Sequence, residues 1–326
     1  MNPVSAVHPP TTVEQPATAD SPATVVQPAT VVQRTFVELR EQGVADLRRG
    51  DLAAALRSFE EALEVAQRCG DTELVDLASC NRAAILIELG RGADRIADMR
   101  GVLMRSRDPQ TCMVAATNLA RYHDLGKDWK KALFYARLAR NHSEAEGDDS
   151  QRASIRNLIA NLLLADSRTD EAAGEYEVAL RMMPDDDPVW RARAIGNLGY
   201  CRILQHRLRE AFTLLRESID ELRARDAELY LVSPLSDLAF AQLEVGRPAD
   251  ARDTAVEALA LAREHGDADG TKNALYLLGQ SCGLMGDVAA GRRCFLELQE
   301  RYYPDKPFVC DFLLSVDVRQ LVNLRG

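Results

Sequence analysis

The chain has 326 residues, 46% apolar and 28% charged, with a formal net charge of −10 and a pI near 5.2. That length exceeds what one compact core usually supports, so two domains or a repeat array are the natural expectations. No run of about 18 apolar residues is present to cross a bilayer, and the acidic balance, with no dense Lys/Arg cluster, argues against nucleic acid as a partner.

Residues 1–33 lack a basic segment followed by an apolar one, so a secretory signal is not expected and the cytoplasm is the default location. The same stretch repeats Pro-Ala-Thr at Pro16, Pro22 and Pro28. Recurrent proline without helical periodicity predicts a disordered leader with polyproline II bias. Seven cysteines without a C-x-x-C pair predict neither a disulfide framework nor a zinc knuckle, but small core residues of helices.

From residue 34 to residue 304 the chain repeats. Small residues at Gly43, Ala83, Ala120, Ala160, Gly199, Ala239 and Gly279 stand 40, 37, 40, 39, 40 and 40 residues apart. Twelve residues after each of these anchors comes Ala55, Arg95, Ala132, Ala172, Ala211, Ala251 or Gly291, with further columns sixteen and nineteen after. Those three offsets share one face of a second helix, where small residues permit close helix approach. Arg95 breaks the rule, so an irregular second helix is predicted in the second unit. Turn signals divide the helices at Gly50, Gly90, Gly126, Gly246 and Gly286.

The anchors, together with A-x3-F in the second helix (Ala55 with Phe59, Ala172 with Tyr176), resemble the tetratricopeptide repeat. The period is near 40 where about 34 is usual for that repeat, which is more similar to the kinesin-light-chain type and its bacterial regulatory relatives. The resemblance implies an all-α, right-handed solenoid of about seven helical hairpins. It also implies a concave surface lined by the first helices.

Residues two or three before an anchor, and the residue after it, share one face of the first helix. That pattern nominates Asn81, Asn118, Arg121, Asn157, Asn161, Asn197, Tyr200, Asp237, Phe240, Tyr276 and Gln280 as groove residues, with Arg193 beside them to meet an acidic group. Asparagine has poor helix propensity, so its recurrence in mid-helix calls for a reason. Either Asn118, Asn157 and Asn197 hold the main chain of an extended ligand through their amides, or they bond to neighbouring helix backbones and set the superhelix. Tyr200, Phe240 and Tyr276 are expected to receive apolar side chains.

Other motifs point away from catalysis. Gly279-Gln280-Ser281-Cys282-Gly283 spells a nucleophile elbow, but it falls on a predicted helix and no histidine follows it. The histidines are scattered and expected on the surface, and the Asp185–Asp187 run reads as a helix-leading turn. No phosphate loop is present, so no cofactor and no metal are expected. The chain reads as a non-enzymatic scaffold for a protein or an extended peptide; the alternative is a regulatory sensor whose occupancy controls a partner output protein.

In residues 305–326, Phe308, Phe312 and Val316 recur at four-residue spacing, with Leu313, Leu321 and Leu324 widening the stripe. A helix capping the last repeat, or a homodimer joined through the same stripe, would bury it.

Overall fold

Aspartate starts the helices of this protein. In the computed structural model, which describes residues 28–185, 187–319 and 322–325, the side chains of Asp51, Asp71, Asp108, Asp128, Asp148, Asp187, Asp267 and Asp287 each accept a first-turn backbone N–H. Part of the acidic excess is therefore spent on helix caps, where a carboxylate also opposes the macrodipole. Asp187 caps its helix with Pro188 at the first position, as its Asp-rich turn implied.

Fourteen of the described helices follow one another as seven helical hairpins: α1 (Pro28–Arg48) with α2 (Leu52–Cys69), α3 (Thr72–Glu88) with α4 (Ile96–Arg105), α5 (Pro109–Leu125) with α6 (Trp129–Glu146), α7 (Asp149–Ala165) with α8 (Thr169–Met182), α9 (Pro188–Leu204) with α10 (Leu208–Ala224), α11 (Val232–Glu244) with α12 (Pro248–Glu264), and α13 (Ala268–Leu284) with α14 (Val288–Tyr302); the second is the loose one, its α4 packing more closely on α5 than on α3. A short α15 (Val309–Ser315) follows. The result is an α-solenoid. In the second unit the chain makes a 3-10 turn at Ala93–Arg95 and then the ten-residue α4, the irregularity that Arg95 predicted.

At the glycine anchors Gly43, Gly199 and Gly279 the sixteenth residue beyond lies against the anchor and leaves no room for a side chain. A Cβ on Gly279 would meet the Phe295 ring at 2.4 Å, and one on Gly43 would meet Phe59 at 2.6 Å. The second-helix column is equally tight, with Ala132, Ala136 and Ala139 at 0% exposure. Seven residues after every anchor the backbone turns left-handed, at Gly50, Gly90, Lys127, Ser167, His206, Gly246 and Gly286. Glycine carries this at four positions, and three L-residues accept the strain because the hairpin imposes it. Gly126, expected to make its turn, has φ −80 and leaves the left-handed position to Lys127.

One continuous core runs from Met113 to Leu324 through the third to seventh hairpins, while the first two hairpins hold smaller clusters. Five of the seven cysteines are buried; Cys69 is exposed and Cys294 half-buried. His123 departs from the expected surface placement. It is buried, stacked on Tyr135 at 5.6 Å between ring centroids, and burial lowers its pKa.

Both predicted ends are corrected. Residues 1–27 of the expected leader lie outside the described residues, but residues 28–33 are the first turns of α1, so the array starts before residue 34. The 305–326 segment does not form one capping helix. Among its described residues only Val309–Ser315 is α-helical, and the stripe of Phe308, Phe312 and Val316 faces outward, at 61%, 45% and 42% exposure. The residues that enter the core are Cys310, Val318 and Leu324, which no single helical face would present together.

Candidate functional site

The face formed by α7, α9, α11 and α13 carries a connected set of polar and aromatic side chains. It begins with Asn161 Oδ1, which accepts from the hydroxyl of Tyr176 at 2.5 Å and from Asn197 Nδ2 at 3.2 Å. Asn161 is the residue after its anchor and Asn197 stands two before the next, so the two amides meet across neighbouring first helices. Asn197 Oδ1 then accepts from Arg325 Nη2 at 3.4 Å. The same Nη2 pairs with Asp237 Oδ2, and the guanidinium lies 4.8 Å from the centre of the Tyr200 ring.

Asp237 is 0% exposed. Burial pushes its pKa up to about 6, against the opposing pull of Arg325, and its other oxygen, Oδ1, has no hydrogen-bond partner. The Tyr200 phenol is pushed up to about 12, again by burial, so at neutral pH it is a neutral hydroxyl. That hydroxyl accepts the N–H of Leu324 at 2.8 Å and donates to Asn323 Oδ1 at 3.3 Å. From α13, Asn273 Nδ2 donates to the carbonyl of Leu324 at 3.0 Å. Leu324 is thus held by both of its main-chain groups.

Space remains beside this segment. A cavity of about 460 Å³ is lined by Asn161, Tyr176, Arg193, Asn197, Asp237 and Arg325 among others. A second, of about 290 Å³, runs past Lys127, Asp267, Lys272, Asn273 and Leu324. Arg193 is exposed at the rim and stacks over Tyr230 at 4.3 Å. Phe240 is buried and tilted against Tyr200. Tyr276 lines a third cavity of about 440 Å³ together with Phe312, Val318 and Val322, its own hydroxyl buried without a partner.

The twelve residues nominated from sequence therefore divide. Asn161, Arg193, Asn197, Tyr200, Asp237, Phe240 and Tyr276 lie about residues 318, 319 and 322–325. Gln280 reaches α15, donating to the Leu313 carbonyl at 3.4 Å. Asn81, Asn118, Arg121 and Asn157 line none of these three cavities.

Asn118 is buried, and its amide donates to the carbonyl of Cys80 on α3 at 2.7 Å, the structural use of the two that its sequence left open. Arg121 lies 3.9 Å from Glu88. Asn81 is half-buried, its amide nitrogen without a partner. Asn157, also half-buried, stands three residues before its anchor where Asn118 and Asn197 stand two before theirs, so the three amides do not form one row. Ser281 is buried in α13 and donates to the Leu277 carbonyl at 2.7 Å, which removes it as a nucleophile.

Asn273, Asn323 and Arg325 were not nominated. Asn273 and Ser233 fall six residues before their anchors, as Arg193 does, so extending that column would have found Asn273. Arg325 has no periodic signal.

The fold is that of a tetratricopeptide-repeat protein. Among solved structures, NprR in complex with its cognate peptide NprX is similar over 87% of this chain and 82% of its own, with a TM-score of 0.67 at 13% identity. A Rap protein complexed with competence and sporulation factor matches 90% of this chain and 79% of its own, with a TM-score of 0.65 at 13% identity. In sequence, the family of anaphase-promoting complex subunit 5 matches residues 44–87 and 198–280. Regulatory protein AfsR of Streptomyces coelicolor is 29% identical over 160 residues, 48% of this chain but 16% of AfsR. The chain thus spans about a sixth of that curated relative.

Proposed function

We propose that this chain is a binding module that takes an extended peptide, or an extended segment of a partner protein, across the first helices of its fourth to seventh hairpins. The observation that carries this reading is the grip on Leu324: side chains from α9 and α13 hold its N–H and its carbonyl. Main-chain recognition of that kind suits any extended segment, whatever its side chains. Of the two similar structures named above, one holds its cognate peptide and the other competence and sporulation factor.

A selection of random peptides on the full chain tests it. Enriched peptides should lose about 0.5–1.5 kcal/mol of affinity on folded Asn273→Ala or Asn197→Ala protein, the net value of one hydrogen bond. Peptides that bind both variants as they bind wild type place the site elsewhere.

The likeness to AfsR favours a second, compatible reading, in which occupancy of the groove regulates a partner protein in the cytoplasm. No helix among the described residues is long and apolar enough to cross a membrane. The homodimer expected from residues 305–326 carries forward on the exposure of Phe308, Phe312 and Val316. Light scattering over a concentration series should show a dimer that Phe312→Asp dissociates; a wild-type monomer at every concentration removes it.

A further inference from the structure

The groove already has an occupant. Beyond α15 the described residues reach the first helices of four consecutive hairpins. Asn323 Nδ2 donates to the Leu164 carbonyl on α7 at 3.1 Å, Tyr200 on α9 accepts from Leu324, Arg319 Nη1 donates to the Leu243 carbonyl on α11 at 3.1 Å, and Asn273 on α13 donates to Leu324. Val318 and Leu324 are buried in the process.

Because Leu324 is gripped by its main chain, selectivity falls on the neighbouring Arg325. Its guanidinium meets three features at once: the Asp237 carboxylate, the Asn197 carbonyl oxygen and the face of Tyr200. With Arg325 in place Asp237 has no exposed surface. An occupant without a positive charge would strand that carboxylate, and a buried charge without a partner is strongly unfavourable. Lysine would satisfy the charge but not the planar stacking on Tyr200 together with two acceptors.

The occupation is also incomplete. Arg325 engages one oxygen of Asp237 while Oδ1 stays unpartnered, and cavities of about 460 and 290 Å³ adjoin the segment. A free guanidinium can take a carboxylate with two parallel N–H groups, so a ligand not tethered to α15 has a better geometry available than the resident segment uses.

We propose that the groove is a receptor for peptides carrying an apolar residue followed by arginine, and that the residues that sit in it after α15, Val318, Arg319 and 322–325, are a resident competitor that such a peptide displaces. This rests on the peptide-binding reading above and adds to it the ligand's arginine and the competition within the chain. Tethering gives the resident segment an effective concentration of order mM. A peptide in solution must therefore exceed that advantage, and weakening the resident segment should expose the receptor.

The test is calorimetric titration of the full chain with a capped decapeptide having the sequence of residues 316–325, and with the same peptide bearing alanine in place of its arginine. The Arg325→Ala chain should bind the decapeptide at least about thirtyfold more tightly than wild type does, the factor expected for truncating one partner of a buried charge pair. On that chain the alanine-bearing peptide should lose at least about thirtyfold. Arg325→Lys keeps a cation beside Asp237 and covers the case in which Arg325→Ala does not fold; it should bind the decapeptide more tightly than wild type by a smaller factor.

Equal affinity for wild type and the folded variants overturns the competition. Binding indifferent to the peptide's arginine overturns the specificity. A folded variant that takes no decapeptide, yet takes library peptides lost on Asn273→Ala, overturns this inference and leaves the broader peptide-binding reading intact.

Discussion

Arg325 and Asp237 stand 88 residues apart in the chain and form an ion pair whose carboxylate is fully buried. The pair closes the segment after α15 onto α11, and the guanidinium side is itself only 17% exposed. Breaking such a pair from one side leaves a charge without compensation. Asp237→Ala should therefore destabilise the chain by about 3–5 kcal/mol, measured by urea unfolding at neutral pH. Replacing both residues, as Asp237→Leu with Arg325→Met, should cost much less than the sum of the single changes.

The same carboxylate gives a pH signature. Its folded pKa of about 6 lies above the ordinary value of 3.8 because burial outweighs the pull of Arg325. The folded state thus holds this proton more tightly than the unfolded state does. The stability it contributes is fully present below the unfolded pKa and is lost as pH rises through the folded one. Wild type should lose this contribution between about pH 4 and about pH 7, while Asp237→Asn has none to lose. The stability of the Asn variant relative to wild type should accordingly increase across that window. A difference that stays flat with pH would show that Asp237 titrates as an ordinary exposed carboxylate.

Two helical glycines should respond in opposite directions. At Gly279 a methyl group would penetrate the Phe295 ring, whereas Gly174, exposed in the interior of α8, has nothing within 4 Å of the position a Cβ would take. Gly279→Ala should cost about 1–3 kcal/mol through overpacking. Gly174→Ala should add about 0.5–1 kcal/mol by restricting the unfolded chain and favouring the helix. Paired thermal melts check both, and a stabilising Gly279→Ala would mean that the anchor is not packed as described.

Asn118 ties α5 to α3 through the Cys80 carbonyl. Asn118→Ala should lower stability by about 0.5–1.5 kcal/mol, the net value of the hydrogen bond between the two helices. Peptide affinity measured on folded protein should not change. A loss of affinity at full folded fraction would return Asn118 to the binding site.

The contrast between Asn118 and Asn197 shows how far the residues alone lead. Each stands two before its anchor in a first helix. Asn118 faces the Cys80 carbonyl. Asn197 faces the side chain of Asn161 and, through its oxygen, Arg325. The column shows that a polar side chain points toward the neighbouring first helix. What it meets there depends on the superhelical offset between hairpins, which is a property of packing.

Periodicity determined the hairpins, their number, the second-helix contacts and the break at Arg95, for a physical reason. Within a hairpin, partners sit at a constant offset, Gly43 to Phe59 and Gly279 to Phe295 alike, so every contact repeats as a column that can be read. Asn323, Leu324 and Arg325 belong to no such column. Their partners, Leu164, Tyr200, Asp237 and Asn273, lie 159, 124, 88 and 51 residues away and come from four different hairpins. Apolar residues at four-residue spacing suggested a helix there. Only the assembled groove, with a buried carboxylate on α11 and main-chain partners on α9 and α13, made a course of bends and turns lower in free energy, because it satisfies polar groups that a capping helix would leave unpaired.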